Sequence, residues 1–246
     1  MATYVISDVH GCFDEFKRLL ERINFSESDE LYILGDVLDR GPKPISIIRD
    51  IMERENVFLI KGNHEVMALD AFDSFLGLEI TDGNIDSLTN DALYPYFAWI
   101  ENGGDTTMKE LHGLSRSERE DVLEYIRESL DYDAIEVNGK LYILVHAGLE
   151  NFSPDKELDE YALEDIIWDR PDYALRYFPS ERIFLVTGHT PTPLFREDRQ
   201  PLVYEKNGHI AIDCGCHFGG RLAAYCFETG EVTYVDSNSF RKDAFE

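Results

Sequence analysis

Asp8-Val9-His10-Gly11 is the first of three short polar segments that decide the fold of this 246-residue chain. The second is Gly35-Asp36-Val37-Leu38-Asp39-Arg40-Gly41, and the third is Gly62-Asn63-His64-Glu65. Each follows an apolar run typical of a buried strand, at residues 4–6, 31–34 and 57–60. Two histidines end similar runs downstream: His146 follows residues 141–145 and His189 follows residues 183–186. Because open α/β sheets build their sites at the carboxyl ends of strands, we expect these segments to meet at one sheet edge.

Helical spacing between the strands predicts a βαβαβ beginning. Apolar residues at positions 13, 16, 19, 20 and 23 predict a helix from Phe13 to Ile23, and a similar pattern predicts one from Pro44 to Glu53. Strands joined in this way are parallel, with right-handed crossovers. Residues 66–132 are predicted to form a mostly helical insertion over the sheet edge. Breaks are expected in it at Asp82-Gly83-Asn84 and at Asn102-Gly103-Gly104-Asp105.

The second half of the chain has the pattern of β-hairpins. Asn138-Gly139 and Thr229-Gly230 are turn sequences between apolar runs. This half is therefore predicted to be a largely antiparallel sheet, with a helix near residues 159–168. Neither an internal repeat nor a linker interrupts the chain. We expect one α/β domain over residues 1–246 with two sheet halves.

The net charge of −26, from 23 basic and 49 acidic residues, limits the partners of the protein. Such a surface repels phosphodiester backbones and anionic lipids, so we expect no binding to nucleic acid or to a membrane. A phosphate-binding site in so acidic a molecule would need strong local positive charge.

The cysteine content and the absence of targeting signals indicate a cytoplasmic protein. Cys12, Cys214, Cys216 and Cys226 are too few and too clustered for a disulfide framework, so we expect reduced thiols. Cys214-Gly215-Cys216 could bind a soft metal, but a second cysteine pair is missing and a structural role is favoured. The sequence has neither a secretion signal nor an apolar run near the roughly 20 residues of a membrane span.

The carboxylate, imidazole and amide groups at the strand ends suit a pair of divalent metal ions. Asp8 and His10 are two residues apart, so both can reach one metal, and Asp36 can bridge two metals with its two oxygens. A neutral oxygen and two nitrogens for the second metal come from Asn63, His146 and His189. Such mixed donors without thiolate favour Mn, Fe, Zn or Co over Ca or Mg. Two such ions would attract phosphate and hold a bridging water as hydroxide.

Each segment alone has an ordinary explanation. Gly62-Asn63-His64-Glu65 could be a turn with a helix-capping asparagine. His146 or His189 alone would more often be a packed or exposed histidine. The occurrence of all these segments after apolar strands, in a consistent order, argues against coincidence.

Together these segments resemble the calcineurin-like metallophosphoesterases, and within them the bacterial and phage branch of the phosphoprotein phosphatase family. The resemblance also includes His146-Ala147-Gly148 and Gly188-His189-Thr190-Pro191, and it extends from Asp8 to Arg221. It implies a four-layer αββα sandwich with mixed sheets and a dinuclear metal centre. The expected cofactor is two divalent ions, with Mn favoured and Fe or Zn as alternatives.

The same resemblance implies roles for individual residues. The first metal is expected to be held by Asp8, His10 and Asp36, and the second by Asp36, Asn63, His146 and His189. His64 resembles the general acid that protonates the leaving oxygen, and Asp39 resembles the group that orients it. Arg40 resembles a phosphate clamp, a task to which the forked donors of guanidinium are suited, and Asn63 is implied to touch the phosphate too. Arg170 is the candidate for a second clamp, the alternative being a surface arginine.

Other residues have weaker signals. Residues 212–221 resemble a segment of bacterial family members and are predicted to be a strand and turn beside the site, with His217 and Arg221 as further candidates to line it. Trp99 and Asn102-Gly103-Gly104-Asp105 also resemble a stretch in bacterial relatives. His112 and His209 match no motif and are predicted to lie on the surface.

Three hypotheses of function follow. The preferred one is a metal-dependent phosphomonoester hydrolase, a serine/threonine protein phosphatase that uses a metal-activated water on a phosphorylated protein or small phosphoester. The alternative is a diadenosine tetraphosphate-type nucleotide hydrolase on the same scaffold. The Asp39-Arg40 pair favours the first, because relatives that cleave dinucleotides often differ there. A non-enzymatic phosphate-binding protein is disfavoured, because every expected ligand and His64 are present.

Overall fold

The computed structural model describes residues 1–76 and 89–239 of the chain. Its strands are β1 (Thr3–Ile6), β2 (Glu30–Leu34), β3 (Val57–Ile60), β4 (Asp133–Val137), β5 (Lys140–Leu144), β6 (Ile183–Thr187), β7 (Tyr204–Lys206), β8 (His209–Ala211), β9 (Arg221–Cys226) and β10 (Val232–Asp236). Its helices are α1 (Phe13–Arg22), α2 (Pro44–Met52), α3 (Asn63–Ala71), α4 (Asn90–Trp99), α5 (Asp105–His112), α6 (Arg116–Glu128) and α7 (Leu163–Ile167). The described strands form two five-stranded sheets, in the orders β10-β9-β1-β2-β3 and β4-β5-β6-β8-β7.

The two sheets pack face to face and are covered by helices on their outer sides. The core between the sheets contains Val5, Tyr32, Leu34 and Tyr225 from the first sheet and Tyr142, Leu144, Val186 and Ile210 from the second. Phe16 of α1 and Ile47 of α2 pack on the outer face of the first sheet. Ile166 and Ile167 of α7 pack on the outer face of the second. The predicted four-layer α/β sandwich with mixed sheets is confirmed.

The βαβαβ beginning is also confirmed. β1 pairs in parallel with β2, and β2 pairs in parallel with β3. α1 and α2 begin where the apolar spacing places them and each ends one residue earlier than predicted. Because the three strands are parallel, the polar segments that follow them reach the same edge of the sheet.

The prediction of a largely antiparallel sheet in the second half holds only in part, because the second sheet is mixed. The Asn138-Gly139 hairpin joins β4 to β5 as expected and β7–β8 is also antiparallel, but β5–β6 and β6–β8 are parallel pairs. The Thr229-Gly230 hairpin is present too, but its strand β9 pairs with β1 and so extends the first sheet. A tight turn in the sequence fixes only the pairing of its own two strands, whereas these other pairs are joined through long connections. The helix expected near 159–168 is a 3₁₀ turn at Leu158–Glu160 followed by the short α7.

Helices α3 to α6 occupy most of the described part of the region predicted as a helical insertion. Ile100–Gly104 forms a π-helical turn in which Gly103 leaves helical geometry with φ of 100°, which confirms the expected break there. The carbonyl of Gly103 accepts a hydrogen bond from the Arg40 backbone N–H at 3.0 Å, so this turn contacts the end of the β2 segment. The break expected at Asp82-Gly83-Asn84 lies outside the described residues.

The structure bears on the expectations for membrane spans and for cysteines. None of the helices within residues 1–76 and 89–239 has the length and apolar character needed to cross a membrane. All four cysteines are free thiols and are buried.

Candidate metal centre

Sharp backbone turns place the polar side chains at the strand ends. Six non-glycine residues there have φ between 42° and 68°: Asp8, His10, Asp36, Asp39, Arg40 and His189. Non-glycine residues rarely adopt this left-handed conformation, and each such residue costs on the order of 1–3 kcal/mol. The surrounding contacts must hold these turns, and three of the six residues, Asp36, Arg40 and His189, line one cleft.

Glycines allow the turns to approach one another closely. A Cβ atom at Gly62 would lie 2.3 Å from Asp36 Oδ1, and one at Gly188 would lie 2.3 Å from Asp8 Oδ2. Either methyl group would overlap the carboxylate. The close approach of Gly188 also lets the next backbone amide, that of His189, donate to Asp8 Oδ2 at 2.9 Å.

Two overlapping groups of side chains have the spacing of metal ligands. His10, Asp36 and His64 form one group, and Asp36, His146 and His189 form the other, with ligand atoms within 4.8 Å of one another in each. Asp36 Oδ2 lies 3.5 Å from His10 Nε2, whereas its Oδ1 lies 3.4 Å from His146 Nε2. The two oxygens of Asp36 therefore face different groups, as a bridging carboxylate would.

The hydrogen bonds of His10 and His146 prepare them as ligands. His10 Nδ1 donates to the Leu38 carbonyl at 2.8 Å, and His146 Nδ1 donates to the Leu34 carbonyl at 2.7 Å. Each Nε2 then carries a lone pair directed into the site, an arrangement typical of metal-binding histidines. Burial, followed by nearby positive groups, lowers the pKa of both imidazoles well below the ordinary value, which keeps them neutral.

The surroundings of Asn63 fit a cation. Asn63 Oδ1 lies 3.0 Å from His146 Nε2 and 3.0 Å from His189 Nδ1. Because the proton of His146 is on Nδ1, its Nε2 and the Asn63 oxygen are both acceptors and repel each other. Two ligand atoms bound at right angles to one ion, ~2.1 Å away, also lie about 3 Å apart. A divalent ion among these atoms would relieve the repulsion.

The buried carboxylates of the site are costly to ionise. Burial raises the pKa of Asp36 to about 7 and that of Asp213 to about 6. Burial, together with the charges of Asp213 and Asp36, raises the pKa of Asp8 well above its usual range. Asp8 is buried beside the His189 backbone and lies outside both closely spaced groups. Its role as a ligand stays a prediction, but a bound cation would favour the ionised form of these carboxylates.

His64 is arranged as a proton donor. It is fully buried, and its Nδ1 donates to Asp39 Oδ2 at 2.6 Å. Its Nε2 has no hydrogen-bond partner among the described residues and lies 3.9 Å from Asp36 Oδ2. Burial lowers the pKa of His64, but the charge of Asp36 and the hydrogen bond to Asp39 outweigh that effect and raise it. The raised pKa keeps a proton available at the atom that faces the site.

The helical region fixes the position of Asp39. Trp99 Nε1 donates to Asp39 Oδ2 at 2.8 Å, and Thr107 Oγ1 donates to Asp39 Oδ1 at 2.5 Å. Neither donor had a role predicted from the sequence. Trp99 was marked only by the resemblance to bacterial relatives, and Thr107 had no signal, because a threonine 68 residues from its partner has no local pattern.

Glu65 was missed although it belongs to a quoted segment. Its carboxylate accepts backbone N–H groups of Asp36, Val37, Leu38 and Gly62 at distances from 2.7 to 3.1 Å. Glu65 thus joins the end of β2 to the end of β3 and holds Asp36 in place. Its position within the third polar segment was the available signal.

The two candidate arginine clamps lie in one cleft beside the ligand groups. The cleft has a volume of about 490 Å³, and Asp36, Arg40, Asn63 and Arg170 are among its lining residues. Arg40 Nη1 donates to His10 Nε2 at 2.7 Å. The pKa of His189 is lowered to about 4, mainly by burial and secondly by the positive charge of Arg170. The two guanidinium groups therefore lie near different ligand groups, and their binding of phosphate stays a prediction.

The remaining histidine and arginine predictions have mixed outcomes. His112 is exposed, as predicted. His209 is only 1 % exposed, so its assignment to the surface was wrong: its ring packs against Tyr173 and Tyr177. Its position in the short strand β8 has no helical or alternating signal that would reveal its burial. His217 lies 6.2 Å from the His10 ring, whereas Arg221 pairs with Asp236 at 2.8 Å and is not among the residues that line the cleft.

A family model described as calcineurin-like phosphoesterase matches residues 1–235. The chain belongs to the calcineurin-like phosphoesterase family. Members of this metallophosphoesterase family are hydrolases that use divalent metals, in agreement with the two ligand groups. The identity of the metal is a separate question.

Several relatives are similar over nearly their whole length. The asymmetrical bis(5'-nucleosyl)-tetraphosphatase PrpE of Geobacillus sp. (strain WCH70) is 28% identical, over 95% of this chain and 94% of the relative. PrpE of Bacillus subtilis (strain 168) is 28% identical, over 97% of this chain and 96% of the relative. The symmetrical bis(5'-nucleosyl)-tetraphosphatase of Baumannia cicadellinicola subsp. Homalodisca coagulata is 25% identical, over 98% and 94%.

Solved structures agree on the fold of this calcineurin-like phosphoesterase. A candidate diadenosine tetraphosphatase aligns with a TM-score of 0.64 at 19% identity, over 96% of this chain and 93% of that chain. A metallophosphoesterase from Sphaerobacter thermophilus aligns with a TM-score of 0.54 at 19% identity, over 100% and 92%. At these identities the likeness concerns the fold alone.

Proposed function

We propose that this protein is a metal-dependent hydrolase of dinucleoside tetraphosphates. The observation that carries the proposal is the similarity, over more than nine tenths of each chain, to several bis(5'-nucleosyl)-tetraphosphatases. The cleft agrees with it chemically, because two arginines lie beside the ligand groups and could bind successive phosphates of a polyphosphate chain. The reaction is then cleavage of a phosphoanhydride bond by water.

The comparisons favour this alternative over the protein phosphatase that the sequence analysis preferred. The argument for phosphoserine substrates rested on the Asp39-Arg40 pair. That pair orients an acid and binds one phosphate, and neither task is restricted to a phosphoserine substrate. The pair therefore does not discriminate between the two substrates.

The proposed roles of the side chains follow from their contacts. Arg40 and Arg170 bind phosphate oxygens and orient the reacting phosphorus, with the Asn63 side chain beside them. His64 donates the proton on Nε2 to the leaving oxygen, and Asp39 stabilises the imidazolium and fixes its orientation. Two divalent ions, held by Asp8, His10, Asp36, Asn63, His146 and His189, would supply positive charge and a water of lowered pKa. We propose Mn as the native metal, with Fe or Zn as alternatives.

We also propose a setting for this activity. The partner is a small nucleotide rather than nucleic acid or a membrane, because the net charge of −26 repels both polyanionic surfaces. The buried free thiols suit a reducing cytoplasm. We propose that residues 1–246 act as one domain.

The proposal is tested by assaying the purified protein with added Mn on three substrates: diadenosine tetraphosphate, a phosphoserine peptide and para-nitrophenyl phosphate. We expect the highest kcat/KM on the dinucleotide, and inactivation by a chelator that Mn reverses. A higher kcat/KM on the phosphopeptide would replace the proposal with the protein phosphatase. Full activity after complete metal removal would contradict both.

A further inference from the structure

Two exposed aromatic rings line the cleft, whose lining also includes the candidate metal ligands Asp36, Asn63 and His189. Trp168 is 46% exposed and Phe218 is 45% exposed. Large apolar side chains are normally buried, and an exposed pair inside one concave, charged site marks a candidate ligand surface. The proposed roles above use neither ring.

Trp168 lies beside the second ligand group. It directly follows α7, and its ring centroid lies 6.1 Å from that of His189 in an edge-to-face arrangement. The Ile166 carbonyl, two residues before Trp168, accepts a hydrogen bond from the Ala147 amide at 2.8 Å, and the Asp169 carboxylate packs so closely on Gly148 that an added Cβ would lie 2.4 Å from its Oδ2. These contacts place the segment from Trp168 to Arg170 against the loop that carries His146. The indole and the Arg170 guanidinium are therefore presented together.

Phe218 is placed in a similar way beside the first ligand group. It lies in a tight loop in which the Phe218 and Gly220 amides both donate to the Gly215 carbonyl, at 3.0 and 2.9 Å. The Arg40 guanidinium carbon lies 5.5 Å from the centroid of the Phe218 ring. Arg40 in turn donates to His10. The Phe218 ring is thus paired with Arg40, as the Trp168 ring is paired with Arg170.

The cleft therefore contains two similar units, each with one exposed ring, one arginine and one ligand group, and Asp36 belongs to both ligand groups. A flat aromatic face beside a cation matches a nucleotide, whose base stacks on aromatic rings and whose phosphate pairs with guanidinium. We propose that Trp168 and Phe218 are two base-stacking platforms, one for each nucleoside of a dinucleoside polyphosphate whose phosphate chain spans the ligand groups. This assignment rests on the proposed function and adds the residues that select for the bases.

The assignment is tested by equilibrium binding, which needs no turnover. The probes are α,β-methylene-ADP and methylenediphosphonate, which share the diphosphonate group and differ by the nucleoside. Both are titrated into protein loaded with Zn²⁺ and followed by calorimetry. We expect the wild type to bind α,β-methylene-ADP more tightly than methylenediphosphonate. The double variant Trp168→Ala/Phe218→Ala should lose about 5- to 150-fold in affinity for the nucleotide, the range found for base–aromatic stacking, while affinity for methylenediphosphonate falls less.

Intrinsic fluorescence gives a second readout. The chain has two tryptophans, of which Trp99 is fully buried and Trp168 is half exposed. The nucleotide analogue should quench the emission of Trp168, and methylenediphosphonate should not. Trp168→Phe keeps an aromatic face and should retain the affinity for the nucleotide. Tyr94→Ala is the matched control, because Tyr94 is 72% exposed and does not line the cleft.

The outcomes separate this inference from the proposed function. Equal wild-type affinity for the two probes would overturn the inference even if diadenosine tetraphosphate is hydrolysed. A nucleotide preference that survives in the double variant, with its circular dichroism unchanged, would also overturn it. A preference lost in the double variant supports it even if the wild type fails to hydrolyse the dinucleotide, and then only the proposed function fails. If the double variant does not fold, Trp168→Ala and Phe218→Ala are each titrated with a methylene analogue of diadenosine tetraphosphate. Each single variant should bind this analogue more weakly than the wild type does, and unchanged affinity in both would overturn the inference.

Discussion

At the scale of single residues, His64 has one polar atom free to act. Its Nδ1 is bonded to Asp39, and its Nε2 has no partner among the described residues. His64→Asn should retain the metal ions, because His64 is not one of the six proposed ligands, but it should lower kcat by about 10²–10⁴-fold on a phosphoserine peptide. The loss should be smaller on para-nitrophenyl phosphate, whose leaving group needs no proton.

The comparison of these substrates, with metal content measured in each sample, checks the role of His64. His112→Asn is the matched control, because His112 is exposed and outside the site, and it should behave as the wild type. An equal loss of kcat on all substrates would show that His64 acts in some way other than as an acid.

The two arginines of the cleft should also be separable by substitution. Arg40→Ala should lower kcat and raise the inhibition constant of inorganic phosphate, with metal content unchanged, because guanidinium binds more strongly as charge develops on the phosphate oxygens. Arg40→Lys should recover only part of the loss, since an ammonium lacks the paired donors. Arg170→Ala should have the same effects. Arg182→Ala is the control, because Arg182 lies at the opposite end of β6 from His189. If Arg170→Ala had the same kcat and the same phosphate inhibition constant as this control, Arg170 would be a surface residue without a role in phosphate binding.

At the scale of secondary structure, the strand ends are joined by one buried carboxylate. Glu65 accepts four backbone N–H groups from the ends of β2 and β3. Glu65→Gln replaces one acceptor oxygen by a donor that faces other donors. We expect a loss of about 1–3 kcal/mol in the free energy of unfolding and weaker metal binding, measured by denaturant titration and by metal analysis. Glu120→Gln removes an exposed carboxylate from α6 and should change neither, so equal behaviour would contradict the role of Glu65.

The buried His209 of β8 predicts a dependence of stability on pH. Burial lowers its pKa below the ordinary value. The unfolded chain therefore binds a proton near pH 6.5 that the folded protein does not, and stability should fall as the pH decreases from about 7 through 6.5. His209→Gln should reduce that slope by up to ~1.4 kcal/mol per pH unit, whereas His112→Gln should keep it. Thermal unfolding of the metal-loaded proteins from pH 5 to 8 provides the measurement, and identical slopes for wild type and His209→Gln would refute the prediction.

Sequence patterns and structure differ most where contacts are long-range. The strands before Asp8, Asp36 and Asn63 were predictable, because buried parallel strands are short apolar runs bounded by polar turns. The pairing of β9 with β1 was not, because its register depends on residues more than 200 positions apart. The candidate ligands could be located in the sequence because they directly follow these strands. The hydrogen bond from Thr107 to Asp39 could not, because it joins residues 68 positions apart.

At the scale of the whole molecule, the metal ions should contribute to stability. Burial raises the pKa values of Asp8 and Asp36 at the strand ends, so their charged forms are disfavoured in the metal-free protein. A ligand at 100 times its dissociation constant adds about 2.7 kcal/mol to the free energy of unfolding. Chelation should therefore lower the Tm by about 5–10 °C in a chain of this size, and Mn should restore it. Scanning calorimetry with and without chelator checks this, and an unchanged Tm would argue against binding at these residues.

The left-handed backbone at Asp36 has an evolutionary consequence. A carboxylate that is buried in a strained turn beside other carboxylates destabilises the fold. Asparagine tolerates the same φ and carries no charge. Without metal, Asp36→Asn should therefore be more stable than the wild type, by on the order of 1 kcal/mol, although it loses the bridging group and its activity. Selection for stability alone would remove this aspartate. Directed evolution for heat resistance without an activity screen should therefore lose this aspartate early.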